Sequence, residues 1–377
     1  MASYGDVLAA LRDYRNELEA QTQVDVEAQF ASPGGGMMNA FAATGGSPFT
    51  TPLSNVHATG VGVRVKGGKP QPNEFVIKVY VYDKIDLGAA TPALTKDDYQ
   101  GVAIDVEPLP IQLALAVAQR ATPRSAKRQA KASAGLAGGG VPPQRRRVRP
   151  IVGGVSIAPL NEHFVGTLGC FLRRISGGTE QIFALSNNHV LADTNRLPIG
   201  TQIVQPGPEV GPASPGDVFS ALSAFVPLQF PATRLNPVVN RLDCAIAVVT
   251  DRKAIRTGEI FGVKKFVPQV LTPVPGMRVT KSGRTTGVTT GVVTATRVNG
   301  VQINYGTQAA PRIATFNDTI SIVGDDGVPF SAPGDSGSII IDRATNRPVA
   351  LLFAGDGRTT TACDLGGVCS AFQAFPV

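Results

Sequence analysis

A chain of 377 residues is longer than a single hydrophobic core usually grows, and its 43% apolar and 17% charged residues, with 42 Gly and 29 Pro, suit strands and turns rather than long helices. The formal charge of +7 is concentrated, because nine basic residues and no acid stand between Arg120 and Arg149, so the remaining chain is slightly acidic and is not itself a basic nucleic-acid-binding domain. Four cysteines are too few and too irregularly placed for a disulfide framework, and no run of about 18 apolar residues offers a membrane span.

Ser3 followed three residues later by Asp6 has the pattern of a capping box, and Val7, Leu8, Leu11, Tyr14 and Leu18 recur at helical spacing behind it. An amphipathic first helix is expected. Its charged residues also break the uninterrupted apolar run a signal peptide needs, so a soluble, cytoplasmic protein is expected. Pro33 to Pro48 is rich in Gly and small residues and is expected to be a loop. Strands are expected at roughly Ala58 to Val65, Phe75 to Tyr82 and Val102 to Val106, the middle one (FVIKVYVY) being the most β-prone. Residues 1–113 therefore read as a small α/β domain.

Residues 114–149 turn to Ala, Gly, Arg and Lys without a β-branched core pattern and read as a basic flexible linker. A solvated spacer is favoured over a nucleic-acid tether for this segment. Residues 150–377 are short apolar runs with Gly and Pro turns about every 8 to 12 residues, the pattern of an all-β sandwich or barrel. The proline-rich stretch 267–275 splits them into two halves. The fold class expected is mainly β, with two β-barrels preceded by the small α/β domain. Internal repeats, heptads, a Walker motif and a dinucleotide-binding glycine fingerprint are not found.

The sharpest chemical signal is Pro333-Gly334-Asp335-Ser336-Gly337-Ser338, a serine on a Gly-flanked turn ahead of the strand-like Ile339-Ile340-Ile341. Alone, most such strings read as a surface turn with an N-capping Asp. A serine hydroxyl becomes a useful nucleophile beside a histidine base whose tautomer a buried carboxylate fixes. Of the three histidines, His57 lies in the N-terminal domain and His163 in a polar turn, whereas His189 ends an apolar strand and turn (FALSNNHVLAD). A core histidine is the alternative for it. Asp243 opens the apolar run of NRLDCAIAVV, where burying a carboxylate is costly without a partner; a capping Asp is the alternative.

The three come in the order His, Asp, Ser, that of the chymotrypsin arrangement. From about Gly153 to Val377 the chain resembles trypsin-like serine peptidases, with SNNHV, DCAIA and GDSGS matching the His, Asp and Ser boxes. It most resembles the intracellular bacterial and plant branch of narrow-leaf type: GTLGCF, ALSNNHVLA, KSGRTTGVTTG, PGDSGS and PVALLFAG carry the likeness, and GVGVRV and VYVYDK resemble that branch's usual N-terminal partner domain. The resemblance implies a chymotrypsin-like double β-barrel and a serine endopeptidase of regulatory rather than digestive kind. Ser336 would attack, His189 would carry the proton, Asp243 would orient the imidazole, and the N–H groups of Gly334 and Ser336 would form the oxyanion hole.

The chain departs from digestive members in reading GDSGS, in carrying Leu352-Phe353-Ala354-Gly355 where a serine often supports the triad carboxylate, and in having Phe330 where arginine- and lysine-specific members have an acid. Phe330, Phe353, Ala354 and Gly355 are the candidate pocket residues, and an uncharged apolar residue before the cut is expected. Ile151-Val152-Gly153-Gly154 resembles the start of a mature digestive enzyme, whose new amine pairs with the Asp before the nucleophile, here Asp335; Pro150 before it argues against that cut. Cys170 and Cys244 read as core thiols, while Cys363 and Cys369 read as a local disulfide or two free thiols. No zinc-spaced set and no cofactor motif occurs, and no cofactor is expected. The partner expected is a protein substrate, with no membrane and homo-oligomerisation left open. The rival function is a catalytically silent peptidase-fold scaffold.

Overall fold

The computed structural model describes residues 2–31, 56–82, 98–114, 141–208, 214–231, 238–263, 265–307 and 309–377. The Pro33 to Pro48 loop, and residues 115–140 of the basic segment, lie outside the described residues.

The chain opens with helix α1 (Tyr4–Ala31), whose Val7, Ala10, Leu11 and Tyr14 are buried. They meet β1 (Val56–Lys66), β2 (Lys69–Val81) and β4 (Val102–Pro108), with β3 (Asp98–Tyr99) pairing on β4; β5 (Gln112–Ala114) follows. Val61, Ile77, Val79 and Val102 complete this small core, so the helical spacing of α1 and the strand alternation of β1 and β2 point at one another.

The first large sheet comprises β7 (Ser156–Pro159), β8 (Gly166–Thr167), β9 (Phe171–Ser176), β10 (Thr179–Ser186), β11 (Gln202–Val204), β12 (Val218–Phe225) and β14 (Ala245–Val249), with β24 (Phe375–Pro376) on its edge. It curls until the residues joining β8 to β9 reach β10: the Gly169 N–H donates to Leu185 O at 2.8 Å and the Leu185 N–H to Cys170 O at 3.0 Å. Beside it β6 (Ile151–Gly153) pairs with β15 (Ile255–Ile260).

The second sheet closes on itself. Strand β16 (Arg278–Gly283) pairs with β17 (Gly287–Asn299), then β20 (Thr319–Gly324), β23 (Thr359–Asp364), β22 (Pro348–Gly355) and β21 (Ile339–Asp342) follow in turn, and β21 pairs back on β16. This is a six-stranded antiparallel barrel, and closure leaves no free edge within it. The split expected at 267–275 falls between β15 and β16.

Two attachments tie the N-terminal strands to this barrel. The long β17 outruns it, and its far end pairs with β1, Val61 opposite Thr296 and Gly62 opposite Ala295. A Cβ on Gly62 would stand 2.5 Å from Thr294 O, so the glycines of GVGVRV are what let the two backbones approach. Strand β5 adds to β22 and to β18 (Val301–Asn304), which itself pairs with β19 (Ile313–Phe316); β13 (Val239–Asn240) lies on β19. Of the segment expected to be a flexible linker, Ala114 thus belongs to a strand, and its last residues run along the first barrel. There Arg147 Nε donates to Asp217 Oδ1 at 3.0 Å and Arg149 Nη2 to Gln205 O at 3.0 Å. Four of the basic residues counted in that segment, from Arg145 to Arg149, therefore lie on described, packed chain.

Candidate active site

The residues singled out by the motifs come from both barrels. His189 lies on the short helix α2 (Asn188–Leu191), which caps β10 of the first barrel. Asp243 stands just before β14, the neighbour of β10, and Ser336 sits in the turn before β21 of the second barrel. The barrels meet at this turn: the Thr167 N–H donates to Ser336 O at 2.8 Å and the Thr167 hydroxyl to Gly334 O at 2.9 Å.

His189 and Asp243 are brought into direct contact, Nδ1 to Oδ2 at 2.5 Å, with both side chains fully buried. The other carboxylate oxygen accepts from the His189 backbone N–H at 3.3 Å. Asp243 is held on further sides: Asn187 Nδ2 donates to its carbonyl at 2.7 Å, and its own N–H points at Cys363 Sγ at 3.2 Å. A buried carboxylate at a strand start is thus compensated by partners, as its burial cost requires.

Sequence reasoning missed Tyr305. Its hydroxyl donates to Asp243 Oδ2 at 2.7 Å and its ring lies edge-on to the His189 ring, with centroids 5.8 Å apart. Burial and the adjacent carboxylate push its pKa well above the ordinary tyrosine value, so it remains a donor. It supplies the support for the carboxylate that Leu352-Phe353-Ala354-Gly355 lacks. The only sequence signal was an aromatic residue at the end of β18.

Ser336 is buried, and its hydroxyl donates to Phe353 O at 3.1 Å. His189 Nε2 is buried with no hydrogen-bond partner. The structure therefore joins histidine to aspartate and leaves the serine hydroxyl on the neighbouring strand. Gly334 and Gly337 on either side have φ of 101° and 92°, a region that L side chains avoid. A Cβ on Gly337 would fall 2.1 Å from Ser186 Oγ and 2.2 Å from Thr167 O, so this position has no room for one. Among the described residues, none accepts a hydrogen bond from the N–H of Gly334 or Ser336.

Asp335 points the other way, into the second barrel. It accepts from Thr285 N–H at 2.8 Å, Thr286 Oγ1 at 2.6 Å and Ala332 N–H at 3.1 Å, and forms a fully buried ion pair with Lys281 Nζ at 3.3 Å. Burial alone would raise its pKa, but Lys281 and these donors hold it below the ordinary carboxylate value. Ile151, by contrast, is a buried residue of β6 paired with β15.

Of the candidate pocket residues, Phe330 lies in the core of the second barrel among Val279, Val293 and Ile340, with Lys281 Nζ 5.8 Å from its ring centroid. Phe353 is buried against Phe316. Ala354 and Gly355 present their backbone to β5. The four cysteines are free and buried, so no disulfide joins Cys363 to Cys369. Burial pushes their thiols up, that of Cys369 to about 12. Among the described residues no group of His, Cys, Asp and Glu could hold a metal ion, and no helix is long and apolar enough to cross a membrane.

Two β-barrels, the first carrying the joined histidine and aspartate and the second the serine turn that Thr167 of the first meets, make up a chymotrypsin-like double β-barrel fold. Residues 235–363 match the Nal1 C-terminal domain family. The chain is 29% identical over 222 residues to Protein NARROW LEAF 1 of Oryza sativa subsp. japonica, covering 53% of this chain and 36% of that protein. The chain thus matches little more than a third of that relative's length. Similar solved structures include a glutamic acid specific serine protease that utilizes a histidine triad in substrate binding, 20% identical with a TM-score of 0.40 over 60% of this chain and 100% of that one. Protease A of Thermobifida fusca is 16% identical with a TM-score of 0.41, covering 60% of this chain and 98% of that one. The chymotrypsin of Cellulomonas bogoriensis is 17% identical with a TM-score of 0.39 over the same shares.

Proposed function

We propose that the protein is a serine endopeptidase that hydrolyses peptide bonds of protein substrates through an acyl-enzyme, with His189, Asp243 and Ser336 as its triad. The observation that carries this reading is the buried 2.5 Å contact between His189 Nδ1 and Asp243, which leaves Nε2 without a partner. A base held by a carboxylate on one nitrogen and free on the other is what a serine nucleophile needs.

In the reaction the Ser336 hydroxyl leaves Phe353 O for His189 Nε2. As Oγ attacks the scissile carbonyl carbon, its proton passes to Nε2, and the carbonyl oxygen takes the negative charge. The N–H groups of Gly334 and Ser336 meet that charge, each donor being worth roughly 3 to 4 kcal/mol in comparable sites. The imidazolium, stabilised by Asp243, protonates the leaving amine as the C–N bond breaks, and water then repeats the cycle on the ester. Asp335 takes no part in proton transfer. Paired with Lys281, it anchors the turn that presents both oxyanion donors.

With Phe330 in the barrel core, no acid stands at the position that carries one in arginine- and lysine-specific members, and the residue before the cut is therefore proposed to be uncharged and apolar. Similarity to the Nal1 C-terminal domain supports the narrow-leaf branch, and four free buried thiols support a reducing, cytoplasmic setting. A second reading has one observation in its favour: the Ser336 hydroxyl is bonded to Phe353 O and not to His189, as in a silent scaffold.

Fluorophosphonate labelling separates the two, because the probe reacts only with an activated serine. The wild-type chain should be labelled and Ser336→Ala should not. Ser336→Ala or His189→Ala should each remove turnover of protein substrates by up to about a millionfold. Asp243→Asn should also cost heavily by holding the wrong imidazole tautomer. Hydrolysis by Ser336→Ala at the wild-type rate would sink the assignment.

A further inference from the structure

Strand β5 lies in an unusual place. It enters the slot between β18 and β22, antiparallel to β22 with Leu113 opposite Gly355 and Ala114 opposite Ala354, and parallel to β18 with Gln112 beside Ile303. Passing from Gln112 to Ala114, it runs along β22 from Gly355 toward Phe353, the residue whose carbonyl holds the Ser336 hydroxyl. An extended peptide whose acyl side approached Ser336 along β22 would need the same edge and the same direction.

The side chains of β5 alternate as in any strand, so the slot makes contact with every second one. Gln112 and Ala114 are fully buried, while Leu113 is 42% exposed. The Gln112 amide is satisfied at both ends: Thr361 Oγ1 donates to Oε1 at 2.5 Å, and Nε2 donates to Thr359 O at 3.4 Å. Ala114 belongs to the apolar cluster that includes Phe353, Phe316 and Tyr305. A buried amide with matched partners, and a small apolar residue fully buried in the apolar core, are specificity features more than a spacer would need.

We propose that β5 is seated as the acyl-side strand of a substrate. The chain thus carries a template of what its site accepts: an extended peptide with glutamine and a small apolar residue at alternate positions, separated by a residue free to vary. Such a peptide pairs with β22 by main-chain hydrogen bonds and is selected by the two inward positions. Strand β5 must leave the slot before it binds, so the affinity for substrate is reduced by the fraction of molecules with the slot empty. The proposal rests on the peptidase reading above.

The test uses the full chain carrying Ser336→Ala, which binds without turnover, and a fluorescein-labelled peptide with the sequence of residues 109–114. Hydrogen exchange should show the amides of Gln112–Ala114 losing protection when the peptide is added, while those of β22 keep theirs. Adding Ala114→Asp to the chain, which places an unpaired carboxylate in the apolar cluster and expels β5, should tighten peptide binding at least about tenfold. Replacing the glutamine of the peptide by alanine, or its final alanine by aspartate, should weaken binding by about tenfold or more.

Unchanged protection of β5 with peptide bound, or absence of peptide binding to both chains, would overturn the proposal. So would equal affinity for the three peptides. The peptidase reading is decided separately by fluorophosphonate labelling of the wild-type chain. If that chain is labelled while β5 never exchanges with peptide, the template fails and the hydrolase stands. If peptide displaces β5 in an unlabelled chain, the strand-binding slot stands and the hydrolase fails.

Discussion

Asp243 Oδ2 accepts two hydrogen bonds at once, from His189 Nδ1 and from the Tyr305 hydroxyl. In the proposed mechanism Tyr305 is thus a positioning residue that acts through the carboxylate. Tyr305→Phe keeps the ring against Phe230 and Phe316 and removes one O–H. A hydrogen bond to a charged group is worth about 1.5–3 kcal/mol, so kcat should fall roughly tenfold to a hundredfold with KM little changed. The acid limb of the kcat/KM profile should move as well, a response that loss of packing alone would not give. The Lys281 and Asp335 pair behaves differently, because it is buried and touches no reacting atom. Lys281→Met leaves an uncompensated carboxylate and should cost about 3–5 kcal/mol of stability, measured by urea unfolding at neutral pH. The pH dependence has a definite sign. The folded-state pKa of Asp335 is depressed, so its contribution is fully present above the ordinary carboxylate value and is lost as pH falls through the folded one. The stability lost by Lys281→Met, large at neutral pH, should therefore shrink as pH falls through the folded-state value of Asp335. A loss that stays constant across the acid range would show that the pair does not hold the turn.

At the scale of elements, the nucleophile turn is defined by what it excludes. Gly337 faces Ser186 and Thr167 of the first barrel with no space for a side chain, and its φ of 92° disfavours one in any case. Gly337→Ala should therefore cost stability by more than the usual 1 kcal/mol of a glycine replacement, visible as a lower Tm, and should move Ser336 enough to depress fluorophosphonate labelling. Unaltered melting and labelling would mean that the barrels meet elsewhere. This turn was legible in the sequence because its chemistry is local, as were α1, the GVGVRV strand and the apolar runs flanking His189 and Asp243. Tyr305, Lys281 and Gln112 were not legible: each reaches its partner only when strands distant in the chain pair, and none carries a spacing that announces the partner. The same reason hid β5, three residues at the edge of an Ala-rich segment, which local pattern alone assigns to no strand. Phe330 was noticed by its distance from Ser336, but it lies in the loop between β20 and β21, and whether a loop side chain enters the barrel core depends on how the closed barrel packs, which sequence spacing does not fix.

For the whole molecule, the partner of Asp335 bears on whether the proposed activity would need a cut in the chain. An enzyme matured by cleavage before Ile151 needs the new amine to reach the carboxylate next to the nucleophile. Here Lys281 already fills that place and Ile151 is built into β6. The uncut chain should therefore be labelled at Ser336, as intact-mass measurement and N-terminal sequencing of the labelled species will reveal. Labelling confined to a species that begins at Ile151 would reverse this conclusion.

The pairing of β1 with the far end of β17, and of β5 with β22, also governs how the chain can be made. Thr59 waits for Asn299, and Leu113 waits for Gly355. During synthesis the early strands leave the ribosome long before their partners exist, and the hairpin of β1 and β2 then presents an unpaired, apolar edge, a template for association with other chains. Contacts this distant along the chain also form slowly, because loop closure precedes any stabilisation from them. Burial of that edge thus depends on β17, far along the chain, and a nascent chain stalled before β17 would expose it to chaperones and to its own copies.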